Sequence, residues 1–68
     1  MEGLGQRLRT LRQARGLNQS AVAAAIEGTM AQISEYELDK TEPKFSTAIR
    51  LADFFGVTLD FLAGRERR

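Results

Sequence analysis

The feature that most constrains the fold is a series of short segments in which apolar residues recur at helical spacing. The first segment carries Leu4, Leu8, Leu11 and Ala14 with arginines between them, and Gly16 follows as a stop signal. Later segments repeat this pattern, and none shows the apolar and polar alternation of a half-buried strand. We therefore expect an all-α fold of five short helices around one core.

The later helices are predicted from their caps, stops and apolar spacing. Side chains that can cap a helix N-terminus precede the second, third and fifth helices at Asn18, Thr29 and Thr58. Gly28 and Gly56 are expected to end the second and fourth helices. The positions expected to face the core are Val22, Ala23, Ile26, Ile33, Tyr36, Phe45, Ala48, Ile49, Ala52, Phe55, Leu59 and Leu62.

Length and composition exclude several classes of protein. Sixty-eight residues, 43% of them hydrophobic, make one small domain spanning 1–68, with a polar tail at 64–68. Because the chain has no cysteine and no histidine, we expect no metal site, no catalytic residues, no enzyme activity and no cofactor. The apolar runs are too short to cross a bilayer and the N-terminus lacks the apolar core of a secretory signal. These features predict a cytoplasmic protein without a membrane partner.

Residues 18–38 have the spacing of a helix-turn-helix, in which the second of two helices lies in the major groove of DNA. This motif needs a small residue in its first helix, a turn residue that tolerates unusual dihedral angles, and an apolar anchor in its second helix. Ala23, Gly28 and Ile33 can fill these three roles. The spacing is consistent with the motif without being specific to it.

Three longer runs make this interpretation specific. The chain resembles the Xre family, the helix-turn-helix domains of the lambdoid phage repressors and Cro proteins, in the run "LRQARGLNQSAVAAAI", continued by "TMAQISEYELDKTEP" and "FSTAIRLADFFGVTLDFL". The resemblance extends from Leu4 to about Ala63. It implies a lambda-repressor-like domain that binds double-stranded operator DNA as a homodimer. The implied function is transcriptional regulation, and more narrowly repression at a palindromic operator.

The resemblance also implies roles for individual residues. The start and outer face of the third helix are expected to read bases through Met30, Ala31, Gln32 and Glu35. Gln32 can bond bidentately to adenine, Glu35 can accept from a cytosine amino group, and Met30 or Ala31 can pack on a thymine methyl. The alternative for each is a solvent-facing residue without a DNA contact. Phosphate contacts are expected from Gln19, Thr29, Lys40 and Lys44, with Arg7 and Arg9 as further candidates.

Arg12 and Glu37 match an arginine and a glutamate that pair across the packed helices of the family. The resemblance therefore implies a structural ion pair, and we favour this role for Glu37 over base reading. Glu27 and Asp39 occupy positions where the family usually has glycine, so the turn is expected to differ in detail. No arginine or lysine lies between Thr29 and Asp39, which excludes arginine-to-guanine readout by this helix.

Two questions stay open at the level of sequence. Phe54 and Phe61 fall outside the inward-facing positions, so they are candidates for a dimer interface, with folding back onto the core as the alternative. The same fold can also serve as a protein-interaction module, an antitoxin-like or corepressor partner whose acidic third helix is bound by a basic protein. No small-molecule effector is evident, and the sequence gives neither the operator nor the regulated gene.

Overall fold

Helices form where the caps and the apolar spacing predicted them. The computed structural model describes residues 3–65, so the last three residues of the predicted polar tail lie outside this range. Within 3–65 there are five helices and no strand: α1 (Leu4–Ala14), α2 (Gln19–Ala25), α3 (Met30–Glu37), α4 (Phe45–Phe55) and α5 (Leu59–Ala63). The expected all-α architecture is confirmed.

The three predicted N-caps are present. Asn18 Oδ1 accepts a hydrogen bond from the backbone N–H of Ala21 at 2.8 Å, and Thr58 Oγ1 accepts one from Phe61 at 2.9 Å. Thr29 Oγ1 accepts one from the N–H of Gln32 at 3.2 Å. Each bond satisfies a backbone donor that the first helical turn leaves without a partner.

One apolar core joins all five helices among the described residues. Leu8, Val22, Ile33, Leu51 and Leu62 have no solvent exposure, and each such side chain contributes about 1.5–3 kcal/mol by burial. The inward positions predicted on α2 and α3 are confirmed. The helices meet in the pairs α1 with α3, α2 with α3, α4 with α5, α1 with α5, and α2 with α4.

The prediction for α4 was wrong at two positions. Phe45 is 69% exposed and Ile49 is 37% exposed, whereas Leu51, which was not predicted, is fully buried. The buried face of α4 is centred on residues 48, 51, 52 and 55, and at about 100° per residue Phe45 and Ile49 lie to the side of that face. Leu59, also predicted to face inward, is only half-buried because α5 presents Leu62 to the core.

The turn between α2 and α3 places its unusual dihedral angle at Glu27, not at Gly28 as the sequence predicted. Glu27 has a φ of +57°, and α2 ends at Ala25 rather than at the glycine. Gly28 instead leaves room for the Gln32 side chain, since a Cβ there would collide with the Gln32 amide oxygen and lie 3.3 Å from Ile26. The glycine therefore permits a close approach, and the strained position carries a glutamate.

Arg7 of α1 and Arg15, the residue that follows α1, hold the ends of other helices. Arg7 Nε donates to the carbonyl oxygen of Leu62 at 2.9 Å, in the last turn of α5. Arg15 donates to the carbonyl oxygens of Phe54 at 3.1 Å and Phe55 at 2.5 Å, and its guanidinium lies 5.3 Å from the centre of the Phe55 ring. These carbonyls are left without helical partners at the ends of α4 and α5, and a cation suits the negative end of a helix.

The approach of α1 to the end of α3 depends on Gly5 and Asp39. A Cβ on Gly5 would lie 2.5 Å from the carbonyl oxygen of Glu37 and 2.6 Å from that of Tyr36. Asp39 adopts a left-handed φ of +58°, and its Oδ1 accepts a hydrogen bond from the N–H of Gly5 at 3.1 Å. Asp39 thus ends α3, as predicted, and its carboxylate also caps the N-terminus of α1.

Arg12 and Glu37 form the ion pair that the resemblance implied. Arg12 Nε lies 2.6 Å from Glu37 Oε2 and Arg12 Nη2 lies 3.1 Å from Oε1, with side-chain exposures of 14% and 4%. Arg12 Nη1 also donates to the carbonyl oxygen of Leu17 at 2.9 Å, and Gln19 Nε2 donates to Glu37 Oε1 at 3.1 Å. The group therefore ties α1 and the start of α2 to the last turn of α3.

Hydrogen bonding to Glu37 raises the pKa of the Arg12 guanidinium above its ordinary value, against a smaller lowering by partial burial. A raised pKa contributes stability below the pKa of the unfolded chain, and this stability is lost only as pH rises through the folded value. Both values lie where arginine stays charged in ordinary buffers, so the contribution of Arg12 is constant across neutral and moderately alkaline pH.

Glu37→Ala is expected to lower the free energy of unfolding by about 3 kcal/mol or more, because it leaves the Arg12 charge without its partner. The matched control is Arg50→Ala, which breaks the exposed pair of Arg50 and Glu27 at 3.4 Å and is expected to cost about 1 kcal/mol or less. Urea unfolding measures both. A double-mutant cycle with Arg12→Met that gave no coupling between Arg12 and Glu37 would contradict the assigned pair.

Candidate nucleic-acid interface

Helix α3 turns one side to the core and the other to solvent. Ile33 and Tyr36 are buried, and they fix the rotation of the helix about its axis. Met30, which is 56% exposed, Ala31 and Glu35 lie on the solvent side. Three of the four predicted base-reading residues therefore share an exposed face, and α2 and α1 support this helix from behind.

The fourth predicted reader, Gln32, has its side-chain oxygen bonded within the chain. Thr29 and Gln32 form a capping box, in which the N–H of Thr29 donates to Gln32 Oε1 at 2.9 Å while Thr29 Oγ1 accepts from the N–H of Gln32. A bidentate bond to adenine needs both the oxygen and the amino group of the amide, so it would break one half of this box. The amino group alone can donate outward without that loss.

The capping box leaves Thr29 able to contact a phosphate. Its hydroxyl oxygen accepts from Gln32, but the hydroxyl hydrogen can still be donated to an anion at the N-terminus of α3. The predicted phosphate contact by Thr29 is therefore compatible with the local hydrogen bonds.

Gln19 lies at the start of α2, half-buried beside Glu37. One of its two amide hydrogens is donated to Glu37, which leaves one for an outside acceptor. The backbone N–H groups of the first helical turn face the same region, where the helix dipole favours an anion. A phosphate contact at Gln19 remains a prediction that this geometry permits.

A shallow depression of about 220 Å³ lies between α1, the start of α2, and α3. Arg9, Gln19, Ser34 and Leu38 line it, above the Arg12–Glu37 pair. Arg9 is exposed, unlike Arg7, whose guanidinium holds the end of α5. Of the two further phosphate candidates on α1, Arg9 is therefore the one that the fold leaves on this surface.

Two polar residues of this surface escaped the sequence analysis. Ser34 lies one turn after Met30, so the helical spacing of the reading face was a signal that could have found it. Ser20 Oγ donates to Met30 Sδ at 3.4 Å and steadies the exposed thioether from α2. No pattern in the sequence predicts that contact, because it depends on how α2 crosses α3.

The two predicted lysines follow α3 in the chain, and Lys44 lines a depression together with Gln32 of α3. Lys40 and Lys44 are both exposed in and just after the loop that follows α3. Glu37 faces Arg12 and Gln19, so Glu35 is the carboxylate of α3 that faces solvent. The acidic appearance of this segment therefore overstates the negative charge that α3 presents.

Within residues 3–65, no three carboxylate side chains come close enough together to hold a metal ion. None of the five described helices has the length and apolar character needed to traverse a bilayer.

Comparisons with known proteins agree with this geometry. A helix-turn-helix family model matches residues 8–62. The chain is 39% identical over 64 residues to the HTH-type transcriptional regulator DdrOP3 of Deinococcus deserti, covering 93% of this chain and 50% of the relative. It is 32% identical over 63 residues to the HTH-type transcriptional regulator ImmR of Bacillus subtilis, again with 93% and 50% coverage.

A solved structure shares the fold. The P22 c2 repressor protein, crystallised in complex with synthetic operator 9T, superposes with a TM-score of 0.88 at 24% identity, covering 93% of this chain and 96% of that one. The chain spans about half the length of the curated relatives it matches. By its family match and its relatives, the chain belongs to the helix-turn-helix family, of the Xre and Cro type.

Proposed function

We propose that the chain is a sequence-specific DNA-binding transcriptional regulator, and more narrowly a repressor that occupies an operator as a dimer. The observation that carries the proposal is the exposed face of α3, presented by a helix whose other side is anchored in the core. The curated relatives are named transcriptional regulators, and a protein of the same fold is bound to a synthetic operator. Such a role would place the chain in the cytoplasm with the DNA.

In this proposal α3 lies in the major groove, which admits a single helix. Met30 and Ala31 supply apolar contacts to a thymine methyl, and Glu35 accepts a hydrogen bond from a cytosine amino group. Gln32 contributes a single donor, because its oxygen is held by Thr29. With no arginine on α3, the preferred sites are expected to depend on thymine and cytosine contacts rather than on arginine bonds to guanine.

Affinity comes from phosphate contacts around this helix. Lys40, Lys44 and Arg9 are exposed cations around the proposed groove-facing surface. The N-termini of α2 and α3, with Gln19 and Thr29, add neutral donors to phosphate oxygens.

The dimer is proposed to use Phe61 rather than Phe54. Phe54 packs against the core, with its ring centre 4.9 Å from that of Phe55 in an edge-to-face arrangement. Phe54 therefore follows the alternative given for both phenylalanines, in which the side chain packs on the core of its own chain. Phe61 is half-buried and is not among the partly buried apolar residues that pack on the core cluster of the described chain. A dimer that reads two half-sites one helical turn apart would supply the specificity that one small domain lacks.

A second candidate function, a protein-interaction module, is favoured by one observation. Leu38 at the end of α3 is 60% exposed, and together with Met30 it gives α3 apolar surface beside its carboxylate. A basic, partly apolar partner suits such a surface. The two functions differ in their dependence on DNA sequence and on salt.

The base preference of the chain tests the proposed role of Glu35. Duplexes selected from a random pool by the chain are expected to contain a cytosine whose replacement costs about 1–3 kcal/mol, a preference that Glu35→Ala removes. Binding to random DNA is expected to tighten in Glu35→Ala, because one carboxylate no longer repels phosphates. Mobility shifts measure both effects.

The matched control for this variant is Asp53→Ala, which removes one exposed carboxylate from α4. It is expected to keep every base preference. Retention of the full base preference by Glu35→Ala would show that Glu35 does not read DNA.

Salt dependence tests the proposed phosphate contacts. Neutralisation of three phosphates by each monomer gives a dimer a slope of about −5 for the logarithm of the binding constant against the logarithm of salt concentration. Lys44→Gln should make the slope shallower by about 2 for the dimer. Fluorescence anisotropy with a labelled duplex measures the slope, and a value near zero would favour the protein-interaction module.

Dimerisation is tested with Phe61→Ser on a duplex that carries two half-sites one turn apart. We expect weaker cooperative binding to two half-sites and unchanged binding to a single half-site, because the variant loses apolar contact between protomers. Phe45→Ser makes the same change at a more exposed phenylalanine of α4 and should leave cooperativity intact. Lost cooperativity in Phe45→Ser alone would place the interface on α4 instead.

A further inference from the structure

The thioether of Met30 lies at the protein surface at the start of α3. Met30 is the first residue of this helix and is 56% exposed. The sequence has one other methionine, Met1, so Met30 is the only methionine in residues 3–65. Methionine usually fills gaps in an apolar core, where its sulfur is protected. In this exposed position the side chain is open to small solutes.

The composition makes Met30 the most readily oxidised side chain of residues 3–65. Mild two-electron oxidants such as peroxides react at the sulfur atoms of cysteine and methionine. The chain has no cysteine, tryptophan or histidine, and its one tyrosine, Tyr36, is only 7% exposed. A peroxide that reaches α3 therefore meets one reactive group, the Met30 thioether.

Ser20 of α2 holds this sulfur in position. Its Oγ donates a hydrogen bond to Met30 Sδ at 3.4 Å. The sulfur has two lone pairs, so this bond engages one of them and leaves the other open to an oxidant. A sulfoxide is chiral, and an oxygen added mainly at the open lone pair gives unequal amounts of the two epimers. A methionine that projects freely into solvent has no such preference.

The oxidation needs hydrogen peroxide and no group of the protein besides the thioether. The sulfur lone pair forms an S–O bond with one peroxide oxygen as the O–O bond breaks. The proton on that oxygen passes to the departing hydroxide, which leaves as water. Sulfur loses two electrons and the peroxide gains two. A methionine sulfoxide reductase reverses the step, with two thiols giving a disulfide and water.

We propose that Met30 is a site of reversible oxidation by hydrogen peroxide, and that its sulfoxide weakens DNA binding by α3. The proposal rests on the proposed function, in which Met30 contacts a thymine methyl. A sulfoxide replaces apolar surface with a polar group, and a methyl group offers it no hydrogen bond. Lys40 and Lys44 keep their charges, so the attraction to phosphates is retained. Oxidation therefore removes binding to selected sites rather than to DNA in general.

The first arm of the test measures the modification on the full chain without DNA. The folded chain is treated with hydrogen peroxide, and mass spectrometry of its peptides follows oxygen uptake. We expect one added oxygen at Met30 before any other residue of 3–65 reacts, and circular dichroism checks that the chain stays folded. An unmodified Met30 after Met1 has been fully oxidised would overturn the proposal.

The epimers test the contact with Ser20. Two methionine sulfoxide reductases, each specific for one epimer, measure their amounts at Met30. We expect unequal amounts in the unchanged chain and nearly equal amounts in Ser20→Ala, which frees both lone pairs of the sulfur. Equal amounts in both proteins would overturn the role given to Ser20.

The second arm measures DNA binding before and after oxidation, by mobility shift with a duplex selected from a random pool. Oxidation is expected to weaken binding to this duplex about tenfold, because the polar oxygen meets an apolar group, with little change for random DNA. Treatment with both reductases and a thiol should restore the affinity. Undiminished binding by the fully oxidised chain would overturn the proposed effect of Met30.

The matched control is Met30→Leu, which keeps an apolar side chain and cannot be oxidised at this position. Its own untreated affinity is the reference, and it retains Met1. We expect peroxide to leave the affinity of this variant unchanged. An equal loss in Met30→Leu would place the damage elsewhere in the chain and overturn the assignment.

The oxidation proposal and the proposed function fail in different ways. If the untreated chain selects no duplex, the proposed function fails and the effect on DNA binding fails with it, whereas the first arm still decides whether Met30 is the oxidation site. If the untreated chain selects a duplex and oxidation at Met30 changes nothing, the proposed function stands and the oxidation proposal is overturned.

Discussion

The position of α3 depends on the bidentate pair between Arg12 and Glu37. The guanidinium also holds the carbonyl of Leu17, and the carboxylate also accepts from Gln19, so one group of side chains fixes α1, the entry to α2 and the end of α3. Planar, bidentate geometry sets both distance and angle between helices, which a single apolar contact does not. A buried pair of this kind adds little net stability compared with apolar residues, so its main effect here is to define geometry.

Most of the acidic residues in and around α3 have partners within the fold, as Glu37 does in this pair. Glu37 is paired with Arg12, Asp39 caps the N-terminus of α1, and Glu27 lies beside Arg50. Glu35 is the carboxylate of α3 left facing outward. A helix that looks unsuited to a polyanion therefore presents one carboxylate, which disfavours wrong sites as well as selecting a matching one.

Several basic residues are likewise used inside the fold and are not available to bind an outside anion. Arg7 lies in α1 and Arg15 directly follows it, in a segment whose arginines suggest a basic outer surface, yet they bond the C-terminal carbonyls of α5 and α4. Arg9 stays exposed beside the depression next to α3. Arg9, Lys40 and Lys44 are therefore the exposed cations around α3, whereas Arg50 lies farther along α4 beside Glu27.

Helical spacing and capping residues predicted the order of the described helices and the N-caps of α2, α3 and α5, because both are local properties of a few neighbouring residues. Through resemblance the sequence also predicted the Arg12–Glu37 pair. Contacts between helices could not be predicted from residue spacing, and they depend on the tertiary structure. It placed Leu51 rather than Phe45 in the core, used the oxygen of Gln32 in a cap, and brought Tyr36 beside the start of α4. These outcomes depend on the crossing of helices distant in sequence, since only packing decides which neighbour a side chain meets.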